Sequence, residues 1–115
     1  MIEVSDDRFE ELVEAGLDRI PPQLLRRMDN VAIIISDRHP DSPHILGLYE
    51  GVGLTERAAN HAGFLPDVIS IFRESLFDYC SSEEELVEQV AVTVIHEIGH
   101  HFGLDDDELH RLGWA

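Results

Sequence analysis

A chain of 115 residues is long enough for one domain with a hydrophobic core, and we expect a single domain over residues 1–115. Its 24 acidic and 8 basic residues give a formal charge of −16, which repels phosphate backbones and anionic lipid surfaces. Nucleic acids and membranes are therefore not expected as partners. The one cysteine, Cys80, excludes an internal disulfide and is expected to be an ordinary small buried residue.

The N-terminal segment lacks the features of an export signal. Acidic residues, Glu3, Asp6 and Asp7, stand where a signal peptide carries basic residues before an apolar run. No segment has the length and apolar continuity of a membrane span. Together with the lone cysteine, these features lead us to expect a cytoplasmic location.

The first half of the chain predicts one helix and two strands. Apolar residues recur at helical spacing over residues 5–19, with Ser5 as the N-cap and Pro21 ending the helix. The β-branched run 31–35 is typical of a strand buried on both faces. A second strand is predicted over residues 45–49.

The second half predicts a third strand and a long helix. Residues 55–63 are ambiguous between a short helix and a loop, and the third strand follows over residues 68–73. Ser82 and Glu85 form a capping-box pattern, from which a helix can run to residue 102. We expect substrate to add as an extended strand along the edge of the third strand.

The end of this helix carries a metal-site pattern. Residues four apart share a helix face, so His96 and His100 can bind one ion while the adjacent Glu97 handles a proton. Gly103 suits a left-handed residue that turns the chain back. Asp106 lies ten residues after His96, at the offset of the third ligand in His-Glu-x-x-His-x-x-Gly-x-x-His. The spacing predicts zinc bound by His96, His100 and Asp106, with Glu97 catalytic.

Other residues compete for these roles. Asp105, Asp107 and His110 are alternatives to Asp106 as the third ligand, although His110 is expected to be an exposed helix residue. His101 points toward the apolar side by helical angle and is expected to be a hydrogen-bonded core histidine. The remaining histidines have no ligand spacing and are expected on the surface: His39, His44 and His61.

Three further side chains have a structural and a functional interpretation. Tyr49 could donate a hydrogen bond to a tetrahedral oxyanion, but its position at a strand end favours packing. Arg73 could clamp a peptide C-terminus, but it is more simply a partner for carboxylates. Trp114 is expected to fill the core rather than contact substrate.

Several segments together resemble the small bacterial zincin-like metallopeptidase family. They are residues 46–51, 54–55, 66–67, 71–73 and 93–106, and the last is the specific one. The resemblance covers nearly the whole chain. It implies a minimal zincin-like α+β fold, with a small mixed sheet of about three strands packed on an N-terminal helix and a long active-site helix.

The resemblance also implies roles within the motif. It carries over the two histidines as zinc ligands and the glutamate as catalytic base, while Asp106 follows by analogy with the wider metzincin clan. The chain departs from that clan because no methionine follows Gly103. We therefore expect either that Trp114 or Leu112 forms the floor of the site or that the site is looser and binds zinc less tightly.

The favoured function is zinc-dependent hydrolysis of peptide bonds in a peptide or protein substrate. A zinc-activated water would attack the carbonyl, with Glu97 as general base. The alternatives are a non-catalytic module that zinc stabilises and a metal-dependent endoribonuclease. Glu97 opposes both, since a structural site needs no acid there and the ribonuclease pattern usually has glycine. The sequence indicates no oligomeric state.

Overall fold

The computed structural model describes residues 1–51, 66–103 and 106–111, which form an α+β fold with a small mixed sheet, as predicted. The ambiguous segment 55–63 lies outside the described residues. In chain order the elements are α1 (Asp6–Leu17), α2 (Pro22–Leu25) with a following 3-10 turn (Arg26–Met28), β1 (Val31–Ser36), β2 (Gly47–Glu50), β3 (Asp67–Phe72), α3 (Arg73–Tyr79), α4 (Glu83–His101) and α5 (Asp106–Arg111).

The sheet has the strand order β1-β3-β2, with β1 parallel and β2 antiparallel to β3. Strand β3 is therefore central, and both of its backbone edges are occupied by neighbouring strands. The prediction that substrate adds along the third strand is wrong for this reason. The edges of the described sheet are β1 and β2.

Strand β1 lies at one of these edges. The side chains of Ile34 and Ile35 are 46% and 36% exposed, and no residue of the strand is fully buried. The prediction of a strand buried on both faces is wrong: within the described sheet β1 is an edge strand, which packs residues such as Val31 and Ile33 against the core but leaves Ile34 and Ile35 exposed.

Helix α4 forms where the sequence predicts it. The hydroxyl of Ser82 accepts a hydrogen bond from the Glu85 N–H at 3.1 Å. The Glu85 carboxylate reaches back to the N–H of Ser81, at 3.2 Å. Gly103 has φ +77°, the left-handed conformation expected just beyond the helix end. None of the described helices is long and apolar enough to cross a membrane.

The core lies between α1, α4, β3 and α3. Helix α1, capped by Ser5 as predicted, crosses α4 closely at Gly16, where a Cβ would lie 2.8 Å from Val90 Cβ. Cys80 is fully buried, which confirms its prediction. Buried core residues on these elements include Phe9, Leu12, Val13, Ile69, Ile71, Leu76, Leu86, Val90, Val94, Ile95 and Ile98.

Helix α3 was not predicted from the sequence. It begins directly after β3, and its N-cap residue, Phe72, makes no side-chain capping bond that would mark a helix start. Arg73, in its first turn, donates to Asp6 at 2.6 Å and to Asp37 at 2.7 Å. The prediction that this arginine pairs with carboxylates is confirmed.

Candidate metal and catalytic site

The last two turns of α4 bring the residues of the motif together. His96 and Glu97 are half-buried, whereas His100 is exposed. The rings of His96 and His100 lie 6.2 Å apart between centroids, tilted by 60°. Because the side chains are one turn apart on one face, both imidazoles can turn toward a single ion. Two neutral imidazoles are donors well suited to zinc.

Strand β2 contacts this end of α4 through its backbone. The N–H of Tyr49 donates a 2.9 Å hydrogen bond to Oε1 of Glu97. On the other side of β2, the carbonyl of Leu46 accepts from Phe72 N–H of β3 at 2.9 Å. Since backbone groups alternate in direction along an antiparallel strand, Gly47 and Tyr49 turn their N–H and C=O groups away from β3. Edge strand β2 therefore faces the candidate site.

A groove of about 370 Å³ runs from His96 and Glu97 toward the start of α4. It lies between Gly47, with the residues preceding β2, and a face of the helix that includes Gln89 and Thr93. A Cβ on Gly47 would lie 2.6 Å from Thr93 Cγ2, so glycine is what lets β2 approach the helix. The groove could accommodate an extended chain beside Glu97.

Behind the Tyr49 amide, three side chains form a cluster. The Tyr49 hydroxyl donates to Oδ2 of Asp67 at 2.7 Å, and the Tyr49 ring stacks on His101 with 3.9 Å between centroids. His101 Nε2 lies 3.9 Å from the same carboxylate oxygen. The prediction that His101 is a core histidine is wrong, because the end of α4 projects beyond the core and leaves this side chain exposed.

Helix α5 folds back onto α4 beside His100. Leu109 is fully buried, and a Cβ on Gly99 would lie 3.2 Å from two of its methyl carbons. The side chain of Asp106, the first residue of α5, lies outside the described part of the structure. Within the described ranges, no three His, Cys, Asp or Glu side chains are grouped to hold a metal ion. Asp106 as third ligand stays a prediction.

The competing candidates divide into exposed residues and residues that the structure does not describe. Asp107 and His110 are exposed on α5, as expected for the histidine. Asp105, together with the predicted floor residues Leu112 and Trp114, lies outside the described residues.

Among the other histidines, His44 differs from expectation in one respect. It is exposed in the loop before β2, as predicted, but it also lines the groove beside Glu97. His39 lies in the same loop, where its Nδ1 accepts hydrogen bonds from the N–H groups of Asp41 and Ser42. His61 lies outside the described residues.

Sequence reasoning missed two parts of this site. It assigned no role to Asp67, and it did not associate the Tyr49 backbone with Glu97. A backbone N–H carries no sequence signature, and 48 residues separate Tyr49 from Glu97. The close packing of β2 on α4, at Gly47 and Thr93, brings them together.

Comparisons with known proteins bear on the family and the fold of this chain. The model of a family described as zincin-like metallopeptidase matches residues 28–114. The fold is similar to that of a conserved hypothetical protein from Thermo thermophilus, with a TM-score of 0.58 and 20% identity. That similarity covers 86% of this chain and 94% of the other. None of the curated proteins matches the sequence.

Proposed function

This chain belongs to the zincin-like metallopeptidase family, and we propose on that premise that it hydrolyses peptide bonds with Glu97 as general base. The observation that supports this most directly is the position of Glu97. Its carboxylate lies at the junction of an edge strand and an open groove, beside two histidines suited to a metal ion.

His96 and His100 fit a zinc ion, since their rings share one face and are accessible from it. The third ligand in this proposal is Asp106. Its support is the packing of Leu109 on Gly99, which holds α5 next to the turn of α4 that carries His100. Zinc, when bound, supplies Lewis acidity that polarises a carbonyl and activates water near neutral pH.

Glu97 moves the proton in this proposal. The Tyr49 N–H occupies Oε1, so Oε2 is the oxygen that takes a proton from the attacking water. The same carboxyl group then delivers the proton to the departing amine, which makes the amine a better leaving group. No serine or cysteine nucleophile is required, in agreement with the full burial of Cys80.

The substrate is an extended peptide lying along β2 rather than β3. Edge strand β2 turns the backbone of Gly47 toward the groove, where strand addition can align a peptide without sequence-specific contacts. Side chains of the peptide would then enter the groove between His44 and Gln89.

The test compares the zinc-loaded protein with its Glu97→Gln variant on a diverse peptide library, with cleavage read by mass spectrometry. We expect Glu97→Gln to lose about 10²- to 10⁴-fold in rate, which is the usual contribution of a general base. Glu88→Gln is the matched control, because Glu88 is an exposed glutamate of the same helix.

Each result has a defined meaning. Cleavage that depends on Glu97 and not on Glu88 supports the proposal. Equal cleavage by all three proteins would point to a contaminant and refute it. Bound zinc without cleavage by any of them would instead indicate the metal-stabilised binding module.

A further inference from the structure

The carboxylate of Glu97 is fixed from the sheet rather than from its own helix. Its described hydrogen-bond partner is the backbone N–H of Tyr49, at 2.9 Å. A glutamate side chain has several rotatable bonds and loses conformational entropy when it is held in one conformation. A general base must nevertheless lie within hydrogen-bond reach of its water. Whatever orients the Tyr49 amide therefore also orients the base.

Strand β2 alone is a weak support for this amide. It has only four residues, Gly47–Glu50, and it pairs with a single neighbour, β3. Tyr49 lies next to the end of the strand, and its N–H points away from β3. No β2–β3 hydrogen bond fixes that N–H, so other contacts of Tyr49 have to do so.

The Tyr49 side chain supplies two such contacts. Its hydroxyl donates to Asp67 Oδ2 at 2.7 Å, and the Asp67 side chain is only 16% exposed. Asp67 is itself fixed, because its backbone N–H donates to the Asn30 carbonyl at 2.9 Å. On its face the Tyr49 ring stacks on His101, at 3.9 Å between centroids and 17° between planes.

His101 lies one helical turn beyond Glu97, so both residues project from the same side of α4. Tyr49 consequently contacts α4 twice, with its amide on Glu97 and its ring on His101. The third contact, to Asp67, ties the same residue to the start of β3. Three contacts in different directions define where the Tyr49 amide lies.

We propose that Tyr49 is a positioning residue for Glu97, anchored by Asp67 and His101 so that its backbone amide holds one carboxylate oxygen and presents the other to water. This inference rests on the proposed function. It assigns Tyr49 a role other than oxyanion stabilisation, since the hydroxyl hydrogen is directed to Asp67. Nor is the residue merely packing, because its backbone N–H donates to Glu97, the residue that carries the proton in the proposed reaction.

The test uses the full zinc-loaded chain and a graded series of variants. Tyr49→Phe removes the hydroxyl and keeps the ring, whereas Tyr49→Leu removes both anchors. Asp67→Ala removes the acceptor, and Asp67→Asn restores an acceptor oxygen without the charge. The control is Tyr79→Phe, since Tyr79 is 58% exposed on α3, and this variant should behave as wild type.

Two readouts separate positioning from general stability. In the first, kcat should fall about 10- to 100-fold for Tyr49→Leu, while KM changes less than threefold, because misplacement of the base affects the reaction more than binding. Tyr49→Phe should lose less, and Asp67→Asn should lose less than Asp67→Ala. The proposal would be overturned if KM rose as much as kcat fell in Tyr49→Leu. It would also be overturned if that variant kept the wild-type kcat.

The second readout needs no catalysis. Amide hydrogen exchange by NMR should show residue 49 protected in the wild type and at least tenfold less protected in Glu97→Ala and in Tyr49→Leu. Protection at Ile95 in the core should stay constant in all variants. If the wild type cleaves no peptide, the proposed function fails, whereas unchanged exchange at residue 49 in both variants refutes the positioning role itself.

Discussion

Leu109 of α5 packs directly on Gly99 of α4, the residue that precedes His100. A Cβ on Gly99 would lie only 3.2 Å from two carbons of the leucine, whose side chain is fully buried. The absence of a side chain at Gly99 thus leaves the space in which Leu109 of α5 packs against α4. The same contact places α5 against the turn of α4 that carries His100.

The first prediction concerns the packing of Leu109 on Gly99. Leu109→Ala should lower the free energy of unfolding by about 2–5 kcal/mol, the usual cost of truncating a buried leucine. It should also weaken zinc binding if Asp106 is the third ligand, because α5 carries Asp106 and would lose its contact with α4. Urea denaturation and zinc titration provide the measurements. Arg111→Ala, at the exposed last residue of α5, should change neither. Unchanged zinc affinity in Leu109→Ala would show that α5 is not needed at the metal.

The second prediction identifies the ligands. His96→Ala, His100→Ala and Asp106→Asn should each reduce zinc affinity by more than the roughly 10- to 100-fold that loss of an outer-shell partner costs. Asp107→Asn is the matched control on the same helix. Metal content after dialysis against a competing chelator gives the answer. If Asp107→Asn releases zinc and Asp106→Asn retains it, the third ligand has been assigned to the wrong aspartate.

The third prediction concerns the helix crossing that supports the site. Gly16→Ala should destabilise the protein by about 1–3 kcal/mol through overpacking. The added methyl would lie 2.9 Å from the Val87 carbonyl oxygen, and a backbone atom of α4 cannot rotate away. Thermal unfolding measures the effect. Glu14→Ala, at an exposed position of α1, should stay within about 0.5 kcal/mol of wild type. An equally stable Gly16→Ala protein would contradict the close crossing.

The fourth prediction concerns pH. Burial raises the pKa of the Cys80 thiol to about 11 from its ordinary value of 9.0. The unfolded chain therefore loses this proton at lower pH than the folded protein does. The stability due to the neutral thiol is complete below pH 9.0 and is lost as pH rises toward 11. Cys80→Ala should reduce this decline.

Thiol reactivity checks the same pKa without unfolding scans. At pH 8 the native protein should react with a thiol reagent much more slowly than the protein in urea, because only the thiolate attacks. Equal rates in the two states would show that Cys80 is accessible, in conflict with its full burial.

Local patterns predicted helix α4 and the motif, whereas long-range pairing decided the features that sequence reasoning got wrong. The Ser82 cap, the helical period and Gly103 each act within a few residues, so the sequence predicts the helix and its end. Strand order depends on contacts between distant segments. The run 31–35 is apolar enough for a central strand, but β3 takes that place.

The site shows the same division. Spacing alone put His96, Glu97 and His100 on one helix end, because the period of the helix is a local property. The Tyr49 amide and Asp67 reach this end through long-range contacts, the pairing of β2 with β3 and the packing of β2 on α4. The helical angle of His101 places it toward the apolar side of the helix, but its exposure depends on how far the core extends along that side.

The exposed isoleucines of β1 have a consequence for handling the protein. An apolar edge strand is a template for pairing with another molecule. Ile34 and Ile35 are exposed and uncharged, so they do not oppose such pairing. Near neutral pH, the net charge of −16 keeps protein molecules apart by electrostatic repulsion. Toward the isoelectric point of about 4.5 that repulsion vanishes. Colloidal stability of this protein is thus a property of its acidic surface, and acidification should turn the β1 edge into a site of self-association.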